Sequence, residues 1–177
     1  MNHPLIFIPD SARKTVFVAL LVWTIVLFVI FLMLNSPLIT SAAPAGIVSH
    51  QFSWTPEKAQ AILSSWKGRT SLFAAFSLGL DYLFMPSYAL TTALGALLAA
   101  GRYSGWLVRL GTWVAYGVFT AAVFDALENF GQAQQLLNGF ITAPLTHFIG
   151  VCASLKFTLL LLGILYGLVG WLTPKKR

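Results

Sequence analysis

The sequence predicts an all-α membrane protein, in which four transmembrane helices form a bundle and a short interfacial helix occupies the first loop. Of its 177 residues, 58% are hydrophobic and only 9% are charged, whereas soluble domains carry about 25% charged residues. Four stretches reach the roughly 20 apolar residues that a membrane-spanning helix needs. The connections between them are too short for a soluble domain, so residues 1–177 form a single transmembrane domain.

The predicted spans cover residues 15–34, 71–100, 106–130 and 144–172. The first contains no charged residue, and its apolar run exceeds the roughly 7–15 residues typical of a cleaved signal peptide. We therefore expect it to be retained as a helix. The fourth contains Gly163-x-x-x-Gly167, a close-packing face used within a chain or, less often, at a dimer seam.

The distribution of Lys and Arg predicts the orientation, because cytoplasmic flanks carry the excess of positive charge. Three basic residues lie in the first loop: Lys58, Lys67 and Arg69. Seven lie on the opposite side: Arg13, Lys14, Arg102, Arg109, Lys175, Lys176 and Arg177. Both termini are thus predicted to be cytoplasmic. The net charge of +6 is explained by topology, and no basic groove or RNA-binding motif predicts a nucleic-acid partner.

The first loop, residues 35–70, is predicted to lie outside and to contain one amphipathic helix over residues 56–67. Thr55-Pro56-Glu57 has the order of an N-cap, a proline at the first helical position and an acid in the first turn. The apolar residues that follow share one helical face: Ala59, Ile62, Leu63 and Trp66. We expect this helix to lie on the membrane surface; the alternative is a lid over a cavity between the spans.

Three of the five acidic residues fall inside predicted spans, where an ionised Asp or Lys costs about 2.5–3.5 kcal/mol. These side chains must therefore face the interior. Asp81 lies roughly 15 Å, and Lys156 roughly 18 Å, below the outer surface. Since their charges are opposite and their depths similar, we predict an Asp81–Lys156 ion pair.

A second polar group is predicted near the outer end of the third span. Asp125, Glu128 and Asn129 are spaced i, i+3, i+4 and share one helical face, with His147 at a similar depth on the fourth span. The candidate ligand-binding residues are Asp81, Tyr82, Tyr88, Asp125, Glu128, Asn129, His147 and Lys156. The alternative is that these residues only join helices to one another.

No cofactor or metal site is predicted. A metal site from His50, His147, Asp125 and Glu128 lacks any close His-x-x-His or Glu-x-x-His spacing. The lone cysteine, Cys152, excludes an intrachain disulfide and a thiolate cage. No phosphate loop, dinucleotide fingerprint or nucleophile elbow occurs.

Several short segments carry a resemblance to known proteins: residues 37–40, 43–48, 59–63, 80–84 and 125–129. Through them the chain resembles a group of bacterial four-span membrane proteins to which no activity is attached. That resemblance implies an integral protein of the bacterial inner membrane. In architecture the chain is also similar to the sterol-isomerase and sigma-2 receptor group, which implies acids facing an intramembrane pocket.

The preferred functional hypothesis is binding of a lipophilic or amphipathic molecule in an intramembrane cavity with a charged polar end, open to the outer leaflet. One alternative is a structural accessory subunit of a membrane complex. Another is a membrane enzyme of isomerase type, in which Asp125 or Glu128 moves a proton and Lys156 stabilises negative charge. An ion-coupled carrier would require a dimer. The expected partners are membrane lipids, a lipophilic small molecule, and a second copy or another membrane subunit.

Overall fold

The computed structural model describes residues 3–173, and within them the chain forms six α-helices and no β-strand. The helices are α1 (Arg13–Asn35), α2 (Ile47–Gln51), α3 (Pro56–Ser65), α4 (Arg69–Ala100), α5 (Trp106–Asn138) and α6 (Ala143–Leu172). Four of them, α1, α4, α5 and α6, are long and apolar enough to cross a membrane. The predicted four-helix membrane bundle is therefore confirmed. The basic tail used for the orientation, Lys175, Lys176 and Arg177, lies outside the described residues.

The predicted end of the third span was wrong. The sequence predicted an end at Phe130 and a loop from Gly131, whereas α5 continues to Asn138. Gly131 faces α6 so closely that a Cβ atom would lie 2.7 Å from Ile149 Cγ1. This glycine permits two helices to approach, and the chain leaves the helix at Gly139, where φ is +65°.

The structure divides into two compact units, and each long helix contributes to both. The first unit comprises the chain up to Ile25, Pro86–Val123 and the chain from Lys156 onward. The second unit comprises Val26–Met85 and Phe124–Leu155.

Small residues pack the helices of the first unit together. A Cβ atom on Gly163 would lie 2.6 Å from Val118 Cγ2 and 2.9 Å from Thr92 Cγ2. A Cβ atom on Gly167 would lie 4.0 Å from the backbone carbon of Gly95. The Gly163-x-x-x-Gly167 motif therefore joins α6 to α4 and α5 of the same chain.

In the second unit the first loop folds into an ordered structure. The Thr55 side chain accepts a hydrogen bond from the Lys58 backbone N–H at 3.3 Å, which confirms the predicted N-cap. The apolar face of α3 packs in a hydrophobic cluster that contains Leu38, Ala43, Ile62, Trp66 and Ala74. The Trp66 indole N–H donates to the Leu38 carbonyl oxygen at 2.8 Å.

Trp54 packs the same loop against α6. Its backbone φ of 59° lies in the left-handed region, which a bulky residue adopts only when its surroundings hold it there. A Cβ atom on Gly150 would lie 2.8 Å from the Trp54 ring, so this glycine provides the space that the indole occupies.

We predict that Gly131→Ala and Gly79→Ala differ in their effect on stability. Both glycines lie inside long helices, but the space around Gly79 is open to at least 4 Å. Helix propensity alone favours alanine by about 0.5–1 kcal/mol, whereas forced contact with Ile149 costs about 1–3 kcal/mol. Thermal unfolding in mild detergent should show loss of stability for Gly131→Ala only. Equal effects of both substitutions would contradict the close approach at Gly131.

Candidate functional site

The central side chain of the site is the imidazole of His50, which comes from α2 in the first loop and is 1% exposed. Its Nδ1 atom lies 3.1 Å from Gln132 Oε1, and its Nε2 atom lies 2.8 Å from Gln135 Oε1. Both glutamines are buried on α5, three residues apart and hence on one helical face. The histidine thus connects the loop to the transmembrane helix.

From Gln132 the hydrogen bonds continue along α5 to α4. The Gln132 amide nitrogen donates to Glu128 Oε1 at 2.8 Å and to Asn129 Oδ1 at 3.4 Å. The Asn129 amide nitrogen donates to Asp81 Oδ2 at 2.7 Å. We call the following residues the polar network: His50, Asp81, Glu128, Asn129, Gln132, Gln135 and Thr146.

On the other side of His50 the network reaches α6. The Gln135 amide nitrogen donates to Thr146 Oγ1 at 2.8 Å, and the Thr146 hydroxyl donates to the Thr142 carbonyl oxygen at 2.9 Å. Because that hydroxyl has given its only hydrogen to the carbonyl, it must accept from Gln135. The Gln135 amide is therefore fixed with its oxygen toward His50, and the ring carries a hydrogen on Nε2.

The environment of His50 acts on its proton affinity in two directions. Burial lowers the pKa of His50 below its ordinary value of 6.5, and the hydrogen bonds to Gln132 and Gln135 oppose this effect in part. The net lowering favours a neutral ring, in which Nδ1 is an acceptor that faces Gln132.

The orientation of the Gln132 amide depends on the protonation of His50. Its Oε1 atom accepts from a ring that carries a hydrogen on Nδ1, whereas its NH₂ group would donate to the Nδ1 atom of a neutral ring.

The predicted candidates in the second unit are partly brought together. Asp81, Glu128 and Asn129 belong to the polar network, and Asp125 is buried. The Tyr82 hydroxyl donates to the Ala126 carbonyl oxygen at 3.2 Å.

His147 lies apart from the hydrogen bonds of the polar network. It is exposed, and its Nδ1 atom is 3.1 Å from the Ala143 carbonyl oxygen. Its ring lies 6.3 Å from the Trp54 ring between centroids, at an interplanar angle of 69°. Its contacts are those of a surface residue on α6.

Two further candidates belong to the first unit. Tyr88 and Lys156 are both buried, and Lys156 Nζ lies 4.8 Å from the centre of the Phe157 ring. The ion pair between Asp81 and Lys156 stays a prediction.

Sequence reasoning missed Gln132 and Gln135 because both were assigned to a loop. The intervals from Glu128 to Gln132 and from Gln132 to Gln135 are four and three residues. This spacing places the three residues on one face of a helix and predicts that α5 continues through them. His50 was considered only as a metal ligand. Within residues 3–173 no group of three or more His, Cys, Asp or Glu side chains is placed to hold a metal ion, so the alternative metal site with His147 and Asp125 is not formed.

Separate cavities occur in the two units. A groove of about 420 Å³ lies in the first unit and is lined by residues of α1, α4 and α6: Phe17, Leu21, Thr91, Thr92, Gly95, Ala96, Gly163, Ile164, Gly167, Leu168 and Trp171. A smaller cavity of about 180 Å³ in the second unit has Tyr82 and Asn129 in its wall. None of the eight predicted ligand-binding residues lines the larger groove.

Comparison of the chain with protein-family models, with curated proteins and with solved structures gives no match. Its function is therefore inferred from its own side chains and cavities.

We predict that Gln132→Leu destabilises the protein strongly, because it removes hydrogen bonds from His50, Glu128 and Asn129 at once. A buried polar group without its partner costs about 1–3 kcal/mol, so the free energy of unfolding should fall by about 3 kcal/mol. Gln134→Leu is the matched control, since the Gln134 side chain on the same helix lies outside the polar network and accepts a hydrogen bond from the exposed Asn138. Unfolding in mild detergent measures both variants, and equal losses would refute the role of Gln132.

The lowered pKa of His50 predicts that stability falls as the pH drops below 6.5. In that range the unfolded chain binds the proton more readily than the folded protein does, so stability decreases by up to about 1.4 kcal/mol per pH unit until the folded pKa is reached. Thermal unfolding between pH 7.5 and 5 should show this slope, and His50→Gln should remove it.

Two other histidines provide the controls for this titration. Burial also lowers the pKa of His3, so the comparison is made in a His3→Gln background. His147→Gln, at an exposed ring, should keep the slope. A slope that survives His50→Gln unchanged would show that His50 does not titrate as proposed.

Proposed function

We propose that this integral membrane protein binds the hydrocarbon part of a lipophilic or amphipathic molecule in the groove of its first unit. The observation that carries the proposal is the groove itself, whose volume of about 420 Å³ falls within the roughly 300–1,000 Å³ of small-molecule sites. With both termini in the cytoplasm of a bacterial cell, the groove opens in the inner half of the membrane.

The lining chemistry favours a hydrocarbon chain. Thr91 and Thr92 contribute the hydroxyl groups among otherwise apolar side chains and glycines. Thr91 already donates to the Ser87 carbonyl oxygen at 2.8 Å and lies 2.8 Å from Thr24 Oγ1. Its polar atoms are thus engaged within the protein, and the surface left for a ligand is apolar.

Arg102 supplies a charged group beside the groove. Its guanidinium lies 5.2 Å from the centre of the Trp171 ring, and its Nη1 atom donates to the Trp171 carbonyl oxygen at 2.8 Å. Since Trp171 lines the groove, an amphipathic molecule with an acidic head group matches this arrangement: its chain contacts the groove and its acid lies near Arg102.

This proposal keeps the ligand class expected from the sequence and changes the location. The hydrogen bonds of the polar network join the first loop to α4, α5 and α6. Such a network favours a structural role for Asp81, Glu128 and Asn129 over contact with a ligand.

We predict that a lipophilic molecule remains bound in stoichiometric amount after purification in mild detergent. Leu168→Trp should reduce the bound fraction about tenfold, because a larger side chain fills the groove at a cost of roughly 1–3 kcal/mol. Native mass spectrometry measures the occupancy and identifies the molecule.

Leu165→Trp is the matched control. Leu165 is an exposed leucine of the same helix that does not line the groove. Equal retention by Leu168→Trp and Leu165→Trp, or a wild-type protein that retains no molecule, would refute the proposal.

A further inference from the structure

A second cavity of the first unit is basic. It measures about 260 Å³ and is bounded by the segment before α1, the first residue of α1, the end of α4 and the beginning of α5. Its polar side chains are His3, Arg13, Arg109 and Thr112, and it shares no lining residue with the apolar groove.

Arg13 is held in place by three contacts. Its Nε atom donates to the Ile8 carbonyl oxygen at 3.2 Å, its Nη1 atom lies 2.6 Å from Asp10 Oδ1, and its Nη2 atom lies 2.9 Å from His3 Nε2. A guanidinium carries five N–H donors, so two further donors are present. The Asp10 side chain is 85% exposed, and a pair of this kind compensates the arginine charge only weakly.

His3 shows that the pocket has more donors than acceptors. The Leu5 backbone N–H points at Nδ1 at 3.2 Å, while Arg13 Nη2 points at Nε2. A neutral imidazole has one N–H and one acceptor nitrogen, so it cannot accept from both donors. N–H donors therefore outnumber acceptors around His3.

We propose that this pocket binds a phosphate group, which the head group of an acidic membrane lipid supplies. Arg13 and Arg109 provide guanidinium groups, which match phosphate oxygens in charge and in geometry. The Thr112 hydroxyl is a further polar group of the wall.

The apolar part of the wall favours a lipid as the source of the phosphate. Leu97, Ala100 and Val108 line the same pocket, so a glycerol backbone and the first methylenes of an acyl chain would contact them. Trp106, at the start of α5, is 70% exposed, as is typical of residues at a membrane interface. In the proposed orientation the pocket faces the cytoplasmic leaflet, whose acidic lipids bind in basic pockets between helices.

The test uses the full chain in mild detergent, titrated with phosphatidylglycerol or phosphatidylcholine and followed by native mass spectrometry. The wild type should prefer phosphatidylglycerol. Arg109→Gln should weaken that binding about fivefold, because one basic residue near a membrane surface raises the affinity for an acidic lipid by about this factor. Arg109→Lys should bind phosphatidylglycerol with an affinity between those of the wild type and Arg109→Gln, because it keeps the positive charge and loses the guanidinium geometry.

Arg69→Gln is the matched control, because it removes the same charge from an exposed arginine of the second unit. It should leave phosphatidylglycerol binding unchanged. Equal loss in Arg69→Gln and Arg109→Gln, or equal affinity of the wild type for both lipids, would overturn the proposal. Because Arg13 also holds the chain before α1, His3→Gln is the second variant at the pocket, and normal binding by both His3→Gln and Arg109→Gln would also overturn it.

Inorganic phosphate distinguishes the two sources of the group. If millimolar phosphate leaves phosphatidylglycerol bound, the lipid is the ligand; if phosphate displaces it from the wild type, the pocket takes the free ion. Leu168→Trp, which fills the apolar groove, should not alter binding at this pocket. Loss of phosphatidylglycerol binding at this pocket and loss of the lipophilic molecule from the groove are therefore independent results, and either proposal can be refuted without the other.

Discussion

The constraint on which the rest of the structure depends is that a polar group shielded from water must find its hydrogen-bond partners within the protein. The second unit meets this constraint around His50, whose two nitrogens face Gln132 and Gln135 on α5. A histidine from a loop thereby completes the hydrogen bonds of a transmembrane helix, and the helix in return fixes the loop. Neither element could bury these groups without the other, since each unmade bond in such surroundings costs the full desolvation of the group.

The two units are stabilised by different means. In the second unit, hydrogen bonds of the polar network act together with the cluster around Trp66 and the contact between Trp54 and Gly150. In the first unit, glycines such as Gly163 and Gly167 let the helices approach, and the space beside them forms the apolar groove. Hydrogen bonds specify one arrangement of partners, whereas a glycine-lined surface accepts any apolar chain of suitable shape. This difference explains why we assign ligand binding to the first unit and a structural role to the polar network.

Hydropathy and helix signals predicted most of the fold, because a span of about 20 apolar residues is a strong constraint. The same reasoning placed Glu128 and Asn129 on one inward face, since charged groups in a bilayer must face inward. It paired Asp81 with Lys156 and did not predict the hydrogen bond that Asp81 accepts from Asn129. It failed at Gly131, because a glycine can end a helix or admit a neighbouring one, and only the position of Ile149 distinguishes the two. That single error placed both glutamines in a loop and left His50 without its partners. The groove could not be predicted, because its shape depends on which small residues of three helices face one another.

The exchange rate of the His50 ring hydrogen tests the central claim most directly. ¹⁵N-histidine-labelled protein in lipid nanodiscs would be examined by NMR at neutral pH, with the exposed ring of His147 as internal reference. The structure predicts an Nε2–H signal for His50 that persists, because the hydrogen is buried and bonded to Gln135 Oε1 at 2.8 Å between the heavy atoms. A His50 ring hydrogen that exchanges with water as fast as that of His147 would show that the network is open to solvent and would contradict the account.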